Sequence, residues 1–115
     1  MDSPAVGSVV LVRFPFSDLS SSKLRPAVVL ASVEREDFVL CQVTSNPYAD
    51  QRAVEINDRD FNRGSLMRKS YARPGKLFSA NTAIMSKVIG ELHAEKIDEV
   101  IFCVVRLLTD DYSDT

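Results

Sequence analysis

A chain of 115 residues, 45% apolar and 26% charged, has room for one hydrophobic core and not for two, so a single domain over residues 1–115 is expected. No apolar run approaches the roughly 20 residues that a membrane helix needs. Met1-Asp2-Ser3-Pro4 lacks the basic start and apolar stretch of a signal peptide, which points to the cytoplasm and away from membranes.

Read in order, Ser8 to Arg13 is a strand dominated by valine and leucine. Pro15 and the serine-rich run Asp18 to Ser22 form a loop. Pro26 to Ser32 is a continuous apolar strand, buried on both faces. Proline opens strands more readily than it sits inside them, so Arg25 is expected at a strand mouth. Glu34 to Asp37 is a charged turn leading into Phe38 to Thr44, which completes a hairpin. Asn46-Pro47 marks the next loop. Ala53 to Ile56 is a short strand, and Asn57-Asp58 a polar turn. Gly64 breaks the chain before a strand at Leu66 to Tyr71. Pro74-Gly75 reads as a turn, and Lys76 to Phe78 as one more short strand. Thr82 to Val88 fits either a strand or a short helix. Then the period changes. Ile97, Val100, Ile101, Val104, Val105 and Leu108 recur at helical spacing and predict an amphipathic helix over Glu95 to Leu108. Glu95, Asp98 and Glu99 suit the positive end of its dipole, and Arg106 the negative end. Short strands followed by one helix predict a mainly β fold, a curved antiparallel sheet packed on a C-terminal helix.

Cys41 and Cys103 sit in separate apolar runs and read as buried free thiols. There is no Cys-x-x-Cys and the single histidine is His93, so a zinc site lacks ligands and no cofactor is expected. The formal net charge is −2, yet Arg59, Arg63, Arg68, Lys69, Arg73 and Lys76 stand against one acid, Asp60, in that segment. A basic segment on an acidic body can build a local phosphate-binding face.

The sharpest local feature is Lys23-Leu24-Arg25-Pro26-Ala27-Val28-Val29-Leu30, followed by Leu40-Cys41-Gln42-Val43-Thr44-Ser45. If these strands pair, the hydroxyls of Thr44 and Ser45 approach Arg25, and an arginine fork beside hydroxyls suits a phosphate. Around them lie Gly7-Ser8-Val9-Val10-Leu11-Val12-Arg13-Phe14-Pro15-Phe16, Gly64-Ser65-Leu66, Ser70-Tyr71-Ala72-Arg73-Pro74, Lys76-Leu77-Phe78 and Ile89-Gly90-Glu91-Leu92. In this order and spacing the chain resembles the MazF/PemK toxins of toxin–antitoxin systems, from about Gly7 to about Leu108.

The resemblance implies an SH3-like barrel with a C-terminal helix, assembled as a homodimer with an RNA groove across its two-fold axis. It also implies a metal-independent endoribonuclease that cuts single-stranded RNA and leaves a 2′,3′-cyclic phosphate and a 5′-OH. The expected partners are that RNA and a cognate antitoxin, whose complex with the toxin binds DNA. By similarity Arg25 and Thr44 are catalytic: Arg25 stabilises the phosphorane, and Thr44 donates to a non-bridging oxygen or orients the 2′-OH. Ser45 is a phosphate contact. Lys23, Arg68, Ser70, Arg73 and Lys76 flank the groove. Phe14, Phe16 and Tyr71 are candidate stacking faces for unpaired bases. Asp18 is a candidate acid in the first loop, and equally a turn residue bonding its own backbone. Position 70 carries serine where some relatives have aspartate. The competing functions are a binding module that poisons a topoisomerase, as the fold-related CcdB toxins do, and a member that binds RNA or antitoxin without turnover.

Overall fold

The computed structural model describes residues 3–15 and 22–113, those at 14, 15, 22 and 111–113 by backbone alone. Seven strands form one antiparallel sheet: β1 (Ser8–Pro15), β2 (Ser22–Glu34), β3 (Asp37–Thr44), β4 (Val54–Ile56), β5 (Phe61–Gly64), β6 (Ser70–Asn81) and β7 (Met85–Leu92). Their spatial order is β4-β6-β3-β2-β1-β7-β5. Helix α1 (Ala94–Ser113) follows, and two short 3₁₀ turns, Asp58–Asp60 and Thr82–Ile84, join neighbouring strands. The architecture is the predicted one, a curled sheet with a C-terminal helix.

Alternation along the central strands feeds two apolar clusters on opposite faces. Val9, Val28, Leu30, Cys41 and Val43 join Val54, Ile56, Phe61 and Leu92 under Val100 and Val104 of α1. Val10, Val12, Ala27, Val29, Phe38 and Leu40 meet Ala80 and Met85 on the other side. Both edge strands contribute to the first cluster, so the sheet closes around the face that carries the helix. Each fully buried Val or Leu contributes roughly 1.5–3 kcal/mol. Cys41 is buried and its thiol donates to the Arg73 carbonyl at 3.2 Å. Burial pushes that thiol up to about 12.

Several boundaries differ from the sequence reading. Pro26 is inside β2, not at its opening, and pairs with Leu11 of β1. The β2–β3 ladder begins only at Ala27, so at Pro26 the strand is an edge, where proline is tolerated. Pro74-Gly75 is not a turn between two strands but part of a bulge inside β6. Cys41 faces Leu77 while Val43 faces Ala72, leaving Arg73 to Lys76 opposite the single residue Gln42. A bulge absorbs a proline because no ladder bond is asked of its nitrogen. Leu66 to Lys69 is loop rather than strand, and β5 precedes it. Gly64 does not break the chain there but ends β5 in a left-handed conformation (φ 77°). It pairs with Gly90, and a Cβ on Gly64 would run into the Ile89 carbonyl, so only glycine lets β5 come this close to β7. Residues 82–88 hold both alternatives, a 3₁₀ turn and then the start of β7.

Helix α1 runs past Leu108, which leaves Arg106 mid-helix, paired to Asp110 at 3.3 Å, and not at the dipole's negative end. Val105 and Leu108, expected on the buried stripe, are exposed. The stripe is instead Ile97, Val100, Ile101 and Val104.

Candidate nucleic-acid interface

The β2–β3 pairing brings the two sharpest sequence features together. Carried two residues further, the register that sets Ala27 opposite Gln42 puts Arg25 opposite Thr44. Thr44 in turn pairs with Tyr71 of β6, so Ser70 arrives beside Ser45. The result is an open cleft of about 330 Å³ lined by Leu11, Leu24, Arg25, Pro26, Val43, Thr44, Ser45, Tyr48, Leu66, Arg68, Ser70 and Ile89.

Leu66 and Ile89 pack against the helix-side core, so the site stands on the rigid body of the sheet. Its polar groups are two guanidiniums, Arg25 and Arg68, and the hydroxyls of Thr44, Ser45, Tyr48 and Ser70. Among the described residues that line it there is no carboxylate and no histidine. Such a donor set suits an anion with several oxygens.

Local turn chemistry holds the hydroxyls in place. Thr44 Oγ1 donates to the Asn46 carbonyl at 3.0 Å and accepts the Asn46 N–H at 3.1 Å, closing a side-chain turn at the end of β3. Ser70 Oγ donates to the Arg68 carbonyl at 3.1 Å, which fixes the loop that carries Arg68. Ser45 and Arg68 are exposed, and Arg25 is half-buried.

The predicted site residues fall into three groups. Arg25, Thr44, Ser45, Arg68 and Ser70 line the cleft together. Lys23 and Lys76 are exposed but do not line it, and Arg73 is engaged elsewhere. Its Nε donates to Asp50 Oδ2 at 3.0 Å, and its guanidinium carbon lies 5.6 Å from the Tyr48 ring centre. The Arg73 guanidinium holds the Asp50 carboxyl below the usual carboxylate range. Phe16 and Asp18 lie outside the described residues, as does the Phe14 side chain. Tyr71 does not line the cleft.

Tyr48 is the lining residue that the sequence reading did not single out. The available signal was an aromatic two residues after Asn46, inside a turn sequence. His93 sits away from the cleft. Its N–H donates to the Asp60 carbonyl at 2.8 Å, and its carbonyl accepts from Lys96 and Ile97 to open α1.

Fold and cleft together define a curled β-sheet protein with an open cleft, lined by arginines and hydroxyls, where β2 and β3 meet. The family model of the PemK-like, MazF-like toxins of type II toxin–antitoxin systems matches residues 5–108, and the chain belongs to that family. No curated protein matches the sequence. Among solved structures, MazF in a MazE–MazF crystal from Deinococcus radiodurans superposes with a TM-score of 0.74 at 18% identity, covering 94% of this chain and 97% of that one. An endoribonuclease in complex with its cognate antitoxin from a mycobacterial species gives 0.72 at 12% identity, covering 92% and 95%. The Mycobacterium tuberculosis toxin MazF-mt6 gives 0.65 at 12% identity, covering 88% and 95%. At these identities the likeness is one of fold. No helix among the described residues is long and apolar enough to cross a membrane.

Proposed function

We propose that this protein is a sequence-specific, metal-independent endoribonuclease that cuts single-stranded RNA and leaves a 2′,3′-cyclic phosphate and a 5′-OH. The observation that carries this reading is the cleft that gathers Arg25, Arg68, Thr44, Ser45 and Ser70, with no carboxylate among its described lining residues. A phosphodiester entering it meets two guanidiniums and several hydroxyls. The family membership and the structural relative described as an endoribonuclease support the same reading.

In the transesterification the ribose 2′-oxygen attacks phosphorus as its proton passes to water, negative charge accumulates on the non-bridging oxygens, and the P–O5′ bond breaks as the 5′-oxygen takes a proton from water to become the 5′-OH. Arg25 donates a fork of parallel hydrogen bonds to those oxygens, and the bonds strengthen as the charge grows. An arginine stays protonated at neutral pH, so its role is charge stabilisation rather than proton donation. Thr44 Oγ1 has its proton committed to the Asn46 carbonyl and one lone pair to the Asn46 N–H. Its remaining lone pair accepts the 2′-OH and aligns it for attack. That makes Thr44 a catalytic residue through orientation rather than through donation to the phosphate. Ser45, exposed at the rim, donates to a phosphate oxygen. Arg68 holds a neighbouring phosphate, with Ser70 fixing the Arg68 backbone. Lys23 and Lys76 extend the positive field along the path of the strand.

The working form is a cytoplasmic homodimer silenced by a cognate antitoxin laid over the cleft, in keeping with the antitoxin complexes of the structural relatives. The test is cleavage of long, defined single-stranded RNA in excess EDTA, with Arg25→Ala alongside. Discrete cuts bearing cyclic phosphate ends are expected from the wild type, and a loss of about 10²–10³ in rate from the variant. An Arg25→Ala protein that cuts at the wild-type rate sinks the assignment.

A further inference from the structure

Tyr48 is held in an unusual way for an exposed aromatic. Its side chain is 65% exposed, yet the loop beneath it is tied at every step. The Asn46 side chain accepts the Tyr48 N–H at 3.0 Å, and the Asp50 N–H donates to the Pro47 carbonyl at 2.9 Å. The Asp50 carboxylate takes the Arg52 N–H at 2.9 Å on one oxygen and Arg73 Nε at 3.0 Å on the other. Tyr48 and Ala49 both adopt left-handed backbone angles, φ 52° and 60°. Two successive non-glycine residues in that region are strained, and such strain persists only where the surroundings over-determine it. Here it turns the tyrosine out of the protein and over the cleft that holds Arg25 and Thr44. The Arg73 guanidinium lies against the ring, 5.6 Å from its centre, in cation–π contact.

We propose that Tyr48 is the stacking platform for the nucleobase beside the phosphate held by Arg25, and that the Asp50–Arg73 pair is what positions it. This rests on the reading of the cleft as an RNA site. An aromatic ring fixed at the lip of a phosphate site presents a flat face at the height of an unstacked base. Every base has a π-face to offer it, so the platform contributes affinity and register. Arg73, which sequence placed on the groove, acts through Tyr48: it is a positioning residue.

The experiment uses a short single-stranded RNA spanning a mapped cut site, with a single 2′-deoxy nucleotide there so that binding is measured without cleavage. Tyr48→Ala is expected to weaken binding about 5- to 100-fold, and Tyr48→Phe to bind like the wild type. Replacing one base flanking the cut by an abasic nucleotide should abolish the difference between wild type and Tyr48→Ala at that position alone. Asp50→Ala should also weaken binding, and should add almost nothing in the Tyr48→Ala background. The platform is overturned if Tyr48→Ala binds as tightly as the wild type. It is overturned equally if the loss persists whichever base is removed. If the wild type cuts no RNA, the nuclease reading falls and takes the platform with it. If Arg25→Ala abolishes cutting while Tyr48→Ala is silent, only the platform falls.

Discussion

Two hollows of similar size on this protein hold opposite arrangements of charge. The cleft at the mouth of β2 and β3, about 330 Å³, has Arg25 and Arg68 on its walls and no described carboxylate. The hollow at the start of α1, about 290 Å³, is lined by Arg59, Asp60, His93, Glu95, Lys96 and Glu99. There Lys96 Nζ donates to Glu99 at 2.8 Å and to the Glu55 carbonyl at 2.9 Å, and lies 3.7 Å from Asp60. A cation satisfied three times over by its own protein has little left for a ligand. The second hollow holds β4, the 3₁₀ turn and the helix together, whereas the first, on the function proposed above, receives a phosphodiester. A net charge of −2 conceals the difference, because it sums over the whole chain charges that the fold places apart.

The largest test of this contrast is Arg25→Ala, which should cost about 10²–10³ in cleavage rate while leaving thermal melting near the wild-type value. Arg68→Ala comes next. RNA binding should weaken, and the slope of log affinity against log salt should shallow by about 0.7, the signature of one lost phosphate contact on a single strand. An unchanged slope would remove Arg68 from the phosphate path. Lys96→Ala should do the reverse, costing about 1–2 kcal/mol in urea unfolding with no change in cleavage at saturating RNA. A loss of catalysis there would erase the distinction between the two hollows.

The smallest effect concerns pH. Asp50 ionises more easily in the folded state than in the unfolded chain, chiefly through its bond to Arg73. Its contribution to stability is therefore present above the unfolded carboxyl value near 3.9. It is lost as pH falls through the lowered folded value. Comparing wild type with Asp50→Asn by urea unfolding at pH 7 and in the acid range should show a gap that closes in acid. A gap that stays constant would mean that the carboxylate's charge is not what matters there.

Much of the fold was legible in the residues. Continuous apolar runs rich in valine and leucine marked the central strands, and the change to helical spacing after Glu95 marked α1. Errors gathered at proline and glycine. Pro26 and Pro74 read as a strand opening and a turn, whereas both lie within strands that have shed a ladder bond at that point. Local propensity cannot see whether a neighbour needs the missing N–H.

The site divides in the same way. The Arg25-Pro26 and Thr44-Ser45 motifs, the basic run around Arg68 and the single histidine were all in the sequence, and it was the family resemblance that turned them toward phosphate chemistry. Which cations line the cleft was decided by the tertiary structure. Arg68 and Arg73 are five residues apart in one basic segment, yet Arg68 lines the cleft and Arg73 is drawn to Asp50 and Tyr48. The bulge in β6 and the strained turn at Tyr48-Ala49 separate their fates. Composition specifies how many charges a surface carries, but only the packing of the strands and loops decides which of them line a cleft and which are drawn to partners elsewhere.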